Sequence, residues 1–297
     1  MLAKGSARRV HGLFTALITP FDAKGRVDAD RLANLVRFQV SKGVDGIYPC
    51  GSTGLGPMLK VEERKLVAET VVRTAGSRVP VVVQVGSADT ASTVELAEHA
   101  EDAGAYAVAS LTPYYYKPGD RATMKHFEAV SKAVEIPVLA YNIPHFTGNN
   151  LTPNLVAELS RAGIAGLKDS SRDFLQLLDV LSAVPDEFVV MNGIEEYGLF
   201  AIMSGADGLV SGGASALPEL FSRMVGAQAK GDREAALASQ RTVQQVKELV
   251  KVGPISAYYE ILRARGLDCG APRPPLLPME KSASEAALAG LRRLGVL

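Results

Sequence analysis

The chain has no tryptophan, two cysteines, four histidines and no formal net charge. Cys50 and Cys269 are too few for a disulfide framework or a structural zinc site, which fits a reducing compartment. Thirty-two basic residues balance thirty-two acidic ones. The composition therefore points to no polyanion-binding surface and no nucleic-acid partner. Long apolar runs are missing too. No stretch reaches the roughly 18 continuous apolar residues that span a bilayer. The longest uncharged stretch, residues 136–157, is broken by prolines and asparagines. Residues 1–10 carry basic side chains but lead into no long apolar core, and so short an Arg-rich stretch is thin evidence for a mitochondrial-type presequence. The chain reads as soluble and cytoplasmic, with no membrane partner. What is present is ordinary: 47% apolar and 22% charged residues over 297 positions. That excludes a wholly disordered or collagen-like chain.

A repeat gives the organisation. Gly43-Val44-Asp45-Gly46-Ile47, Gly104-Ala105-Tyr106-Ala107-Val108, Gly163-Ile164-Ala165-Gly166-Leu167 and Gly205-Ala206-Asp207-Gly208-Leu209 read alike. Each suggests a helix ended by a left-handed glycine, then a short link, then a buried strand. Between them lie Val79 to Val83, Ile136 to Ala140 and Glu187 to Val190, and Leu13 to Ile18 opens the series. The count is eight strands. Helical patterns fill the gaps: Asp28 precedes Leu32, Leu35, Val36 and Val40, Thr152-Pro153 precedes Leu155, Val156 and Leu159, and Phe174, Leu177, Leu178 and Leu181 form a stripe. Continuously apolar strands alternating with helices mean a parallel sheet covered by helices. Eight such units predict an α/β fold, the closed (β/α)8 TIM barrel, over about residues 11–217. No Gly-x-Gly-x-x-Gly loop follows the first strand, which disfavours a dinucleotide-binding sheet. Residues 218–297 read as a helical C-terminal extension. No low-complexity linker interrupts the chain, so residues 1–297 are expected to form a single domain.

In such barrels the working side chains sit at the C-terminal strand ends. Lys168 ends the apolar run Ile164 to Leu167. In the barrel mouth a lysine loses water and its amine is freed to attack a carbonyl carbon; a strand-end lysine reaching solvent is the competing reading. Tyr141 ends the preceding strand, ~4.8 Å away if the two pair. Its phenol either moves protons for a carbinolamine or plugs the barrel. Gly51-Ser52-Thr53-Gly54-Leu55-Gly56 is either an anion nest for a small carboxylate or a plain tight turn. Ser211-Gly212-Gly213 reads as a plain turn, with no adjacent Arg or Lys to hold phosphate. His145 follows Tyr141 and is a candidate pocket residue. His11, His99 and His126 show no metal-ligand spacing, and no metal site is expected.

Together Gly51-Ser52-Thr53-Gly54, Thr112-Pro113-Tyr114-Tyr115, Tyr141-Asn142-Ile143-Pro144 with Thr147-Gly148, and Gly166-Leu167-Lys168-Asp169-Ser170 resemble the motif set of the dihydrodipicolinate synthase and N-acetylneuraminate lyase superfamily. The resemblance runs along nearly the whole chain. It implies a class I, Schiff-base lyase that takes or releases pyruvate without metal or organic cofactor. By the same resemblance Lys168 forms the imine. Tyr141 shuttles protons with Thr53 and with Tyr115, which in relatives crosses a subunit interface. Ser52 and Thr53 hold the pyruvate carboxylate, and Gly193 and Val210 line the pocket. A homotetramer, a dimer of dimers, is implied.

Two departures narrow the substrate. Phe146 stands where dihydrodipicolinate synthases usually carry the arginine that binds aspartate semialdehyde, and a phenyl ring cannot replace a guanidinium fork. Leu55 stands where glutamate is common. Gly54-Leu55-Gly56-Pro57, Tyr114-Tyr115-Tyr116 and Pro272-Arg273-Pro274-Pro275 are more similar to 2-keto-3-deoxygluconate aldolases of archaeal type. The expected partners are thus a small keto acid and an aldehyde, with His145 and Phe146 near the latter. A dihydrodipicolinate synthase, a keto-deoxy sugar acid dehydratase using the same imine, and a silent keto-acid sensor are the alternatives.

Overall fold

The computed structural model describes residues 10–297; the N-terminal stretch weighed above as a presequence lies, but for Val10, outside them. Eight strands alternate with helices as expected: β1 (Gly12–Ala16), β2 (Gly46–Tyr48), β3 (Val82–Gln84), β4 (Ala107–Leu111), β5 (Val138–Asn142), β6 (Gly166–Asp169), β7 (Val189–Asn192) and β8 (Gly208–Ser211). All pair in parallel in the order β2-β1-β8-β7-β6-β5-β4-β3. A parallel bridge between Ile47 and Val81 joins the two ends of that sheet. The result is the (β/α)8 TIM barrel.

Helices α1 (Ala29–Ser41), α2 (Val61–Ala75), α3 (Thr90–Asp102), α4 (Asp120–Ala133), α5 (Pro144–Thr147), α6 (Pro153–Arg161), α7 (Phe174–Ala183) and α8 (Gly198–Met203) lie between strands. Then come α9 (Pro218–Ala229), α10 (Arg233–Val250), α11 (Pro254–Ala264) and α12 (Lys281–Arg293). Local chemistry starts them where the pattern says. Asp28 and Thr152 accept from Arg31 N at 3.0 Å and Leu155 N at 3.3 Å, relieving donors that the first turn leaves unpaired.

The repeat glycines do what their spacing suggests. Gly43, Gly104, Gly163 and Gly205 have φ of 71, 87, 93 and 111°. After three of them the next N–H reaches back to the helix: Ala105 to Ala100 O, Ile164 to Leu159 O and Ala206 to Ala201 O. That is the left-handed helix ending which side chains resist. The strands begin two to three residues later than the apolar runs do, because those first residues are the link.

Both strand faces are buried, which is why the runs are continuously apolar. One face packs on the helices through residues such as Leu13, Ile47, Val108, Leu167 and Leu209. The other fills the barrel through Phe14, Tyr48, Val82, Ala109, Leu139, Tyr141, Met191 and Val210. The proline-rich turn binds the extension to the barrel: Arg273 donates to Gly25 O, to Met58 O at 3.1 Å and to Glu63 Oε2 at 2.9 Å.

Candidate active site

Strand register puts Leu111, Tyr141, Lys168 and Met191 at one level across β4 to β7. Tyr141 and Met191 face the interior, so Lys168 does too. Its side chain is only 4% exposed. Nζ stands 4.0 Å from the centroid of the Tyr141 ring and 4.3 Å from that of Tyr48. The two rings meet edge to face, 6.1 Å apart. Burial pushes the lysine below its ordinary pKa, with the Tyr141 phenol opposing. An amine so placed is available as a nucleophile nearer to neutral pH.

The Tyr141 hydroxyl lies 3.4 Å from Ser52 Oγ in the turn after β2. That turn is tightly built. Leu55 N donates to Ser52 O and Gly56 N to Gly51 O, so these two N–H groups close the turn and are not offered to an anion. A Cβ on Gly56 would fall 1.8 Å from Cys50 O, so the backbone there admits only glycine. Thr53 is half-buried, and its Oγ1 would be 2.8 Å from a Cβ on Gly212 across the mouth. Gly193 lies against the lysine: a Cβ there would be 3.2 Å from Lys168 Cε and 2.0 Å from Ser170 Oγ. Val210 is buried in the interior cluster with both tyrosines.

Three expected residues sit apart from this group. Tyr115 is 88% exposed, with φ of 79° and its ring against Tyr116. Its phenol points away from its own chain's interior. The His145 and Phe146 rings lie 4.4 Å apart, inclined at 50°, on α5, in the connection that follows Tyr141. Phe146 is 69% exposed. Partial burial and the nearby Arg172 guanidinium hold His145 below the ordinary imidazole range.

Asn142 and Asp169 pair in register and have the opposite parity to Lys168. They brace the strand ends: Asn142 Nδ2 donates to Asp169 Oδ1 at 2.9 Å, Ser171 Oγ to Asp169 Oδ2 at 2.7 Å, and Leu151 N to Asn142 Oδ1 at 3.0 Å. Sequence reasoning missed Tyr48, the second ring on the lysine. Its local sequence carries no signal of which strands it faces. It also missed Glu195, a buried carboxylate that accepts from Gly213 N in the turn after β8.

A family model described as the dihydrodipicolinate synthetase family matches residues 9–293. The chain belongs to that family. It is a lyase of the class I aldolase type. An uncharacterized DapA-like lyase of Halobacterium salinarum is 38% identical over 295 residues, covering 99% of this chain and 97% of the relative. The 4-hydroxy-tetrahydrodipicolinate synthase of Bartonella quintana is 34% identical over 289 residues, covering 96% and 98%. Among solved structures, a prophage protein of the dihydrodipicolinic acid synthase family from E. coli K12, in complex with pyruvate, superposes with a TM-score of 0.93 at 28% identity, over 97% of this chain and 99% of that one. Among the described residues of this family member, no helix is long and apolar enough to cross a membrane.

Proposed function

We propose that this family member is a cofactor-free, pyruvate-dependent aldolase. It reversibly cleaves a 2-keto-3-deoxy sugar acid, such as 2-keto-3-deoxygluconate, to pyruvate and an aldehyde. The observation that carries the reading is Lys168, buried between the Tyr141 and Tyr48 rings at 4.0 and 4.3 Å. The free amine adds to the keto carbon, and loss of water leaves a protonated imine. The C3–C4 bond breaks as Tyr141 takes the C4 hydroxyl proton. The bonding pair moves into the iminium to give an enamine, and the aldehyde leaves. The enamine is protonated at C3, and water hydrolyses the imine to pyruvate and lysine. The imine supplies the electron sink, so the scheme asks for no metal.

In this reading Ser52 and Thr53 hold the pyruvate carboxylate, and Thr53 and Tyr115 complete the proton relay with Tyr141. Gly193 and Val210 shape the keto-acid pocket, while His145 and Phe146 face the aldehyde half. Tyr115 acts across an interface in a homotetramer, which its 88% exposure within one chain favours. We place the single-domain enzyme in the cytoplasm; both cysteines are free.

Phe146 supports the sugar-acid substrate, because it offers no guanidinium to a second carboxylate. The Bartonella relative supports the other reading, a 4-hydroxy-tetrahydrodipicolinate synthase. Pyruvate with borohydride should add one reduced pyruvate, at Lys168, and Lys168→Ala should take none. Retro-aldol release of pyruvate from keto-deoxygluconate should outpace condensation with aspartate semialdehyde. A preference for the semialdehyde defeats the substrate; an unlabelled Lys168 defeats the mechanism.

A further inference from the structure

Among the described residues, no carboxylate bears on the Lys168 amine; the Tyr141 phenol is the one titratable group that does, and it favours the charged form. What meets the amine from the other side is an aromatic face. Tyr48 ends β2, and in the closed ring of strands β2 and β6 stand four places apart in either direction. Tyr48 therefore reaches Lys168 from the opposite wall of the barrel, where strand pairing does not bring side chains together. Its ring centroid lies 4.3 Å from Nζ, and the ring is set edge to face with Tyr141, 6.1 Å away. Tyr48 is 1% exposed and walled in: a Cβ on Gly51 would fall 3.1 Å from its Cε1. Its hydroxyl is buried with no hydrogen-bond partner among the described residues. The amine thus meets the ring of Tyr48 and not its hydroxyl.

The chemistry at Nζ calls for such a face. The neutral amine, the keto carbonyl and one proton give the protonated imine and water, so a positive charge forms on a nitrogen that had none. In bulk water solvent would stabilise that charge; burial withdraws the solvent. A carboxylate in contact would replace it, but would also hold the resting amine as an ammonium at neutral pH. A phenol ring attracts a cation more weakly, through the quadrupole of its face. Desolvation outweighs that attraction here, so the resting amine stays a weaker base than usual. We propose that Tyr48 is a further catalytic residue: from the opposite wall of the barrel, its ring face stabilises the positive nitrogen of the Lys168 imine. This rests on the imine chemistry proposed above.

The test uses pyruvate alone, so it is independent of the aldehyde partner. Full-length wild type and Tyr48→Phe are compared with chains in which position 48 holds phenylalanine bearing one, two or three ring fluorines. Fluorine drains negative charge from the ring face and barely alters its shape. The quantity read is the pyruvate concentration that half-saturates labelling of Lys168 under cyanoborohydride, followed by intact mass over a series of pH values. Tyr48→Phe should match wild type. At the alkaline end the amine starts neutral, and each fluorine should raise the half-saturating concentration, to about tenfold for three. At the acid end the ammonium loses as much as the protonated imine, and the shift should vanish. Should a fluorinated chain not fold, Tyr48→Leu, which removes the face, gives the same contrast between the two ends. Three results overturn the role of the ring face and leave the aldolase reading standing. They are no fluorine effect at the alkaline end, an equal shift at both ends, or a loss in Tyr48→Phe as large as with three fluorines. No labelling of Lys168 in wild type removes that reading and this inference with it.

Discussion

A lysine between two phenol rings is held by opposing forces. Its charged form gains from the ring faces of Tyr48 and Tyr141 and loses by desolvation. Desolvation prevails, and the amine sits below its ordinary pKa. The stem is held equally tightly, with Gly193 packed against Cε. Gly193→Ala should therefore be felt in the chemistry. Its methyl group would enter space 2.0 Å from Ser170 Oγ and 3.2 Å from Lys168 Cε. We expect borohydride trapping of pyruvate to slow about a hundredfold, as displacement of a reacting group by ~1 Å does. Trapping at the wild-type rate would show that the lysine does not depend on this packing. Lys168 and Tyr141 could be picked out in the sequence because each ends an apolar strand. Tyr48 could not, because nothing local in Gly46-Ile47-Tyr48 says which neighbouring strands it faces.

Elements are joined by buried polar contacts as well as by apolar packing, and His126 is one of these. It lies on α4, 2% exposed, between Thr90 Oγ1 at 3.0 Å and Ser110 Oγ at 3.1 Å. Ser110 spends its own proton on Leu111 O, so it accepts from Nε2, and Nδ1 accepts from Thr90. The imidazole is thus neutral. Burial lowers its pKa to about 4, with Asp89 opposing. An unfolded histidine titrates near ~6.5. Between these values the unfolded chain holds more proton, so stability rises with pH. The contribution is fully present above about pH 6.5 and is lost as pH falls through about 4, a difference of roughly 3 kcal/mol. Urea unfolding at a series of pH values should show a shallower slope over this window for His126→Gln than for wild type. Equal slopes would mean the ring is protonated in the native state. That His126 falls within a helix is legible in the sequence; that it links α3, β4 and α4 is not, because Thr90 and Ser110 are brought to it by the barrel's curvature.

At the scale of the whole molecule, the apolar surface is uneven. Tyr115 is 88% exposed, Tyr116 75%, Phe146 69% and Leu175 72%. Rings this large seldom stay in water without a reason. If Tyr115 serves a neighbour's site, the chain assembles. Light scattering at micromolar concentration should then give four times the 31.4 kDa chain mass. A monomer with full activity would remove Tyr115 from the relay. The C-terminal extension also belongs to this scale. Arg273 clamps it to the loop at Gly25 and to Glu63, and Lys247 inserts its charge behind the mouth.

The amino-acid sequence alone determined the number of strands, their parallel direction, the glycine at each helix end, and the lysine and tyrosine at adjacent strand ends. These follow from periodicity and local backbone preference, which act over a few residues. Only the tertiary structure decided which charges meet. Lys247 reaches Glu195, Arg273 reaches Glu63, and the Ser211–Gly213 turn, which shows no basic neighbour in sequence, is bound by the Glu195 carboxylate. Such pairs depend on where helices far apart in the chain are laid against the barrel, and packing of the whole core settles that.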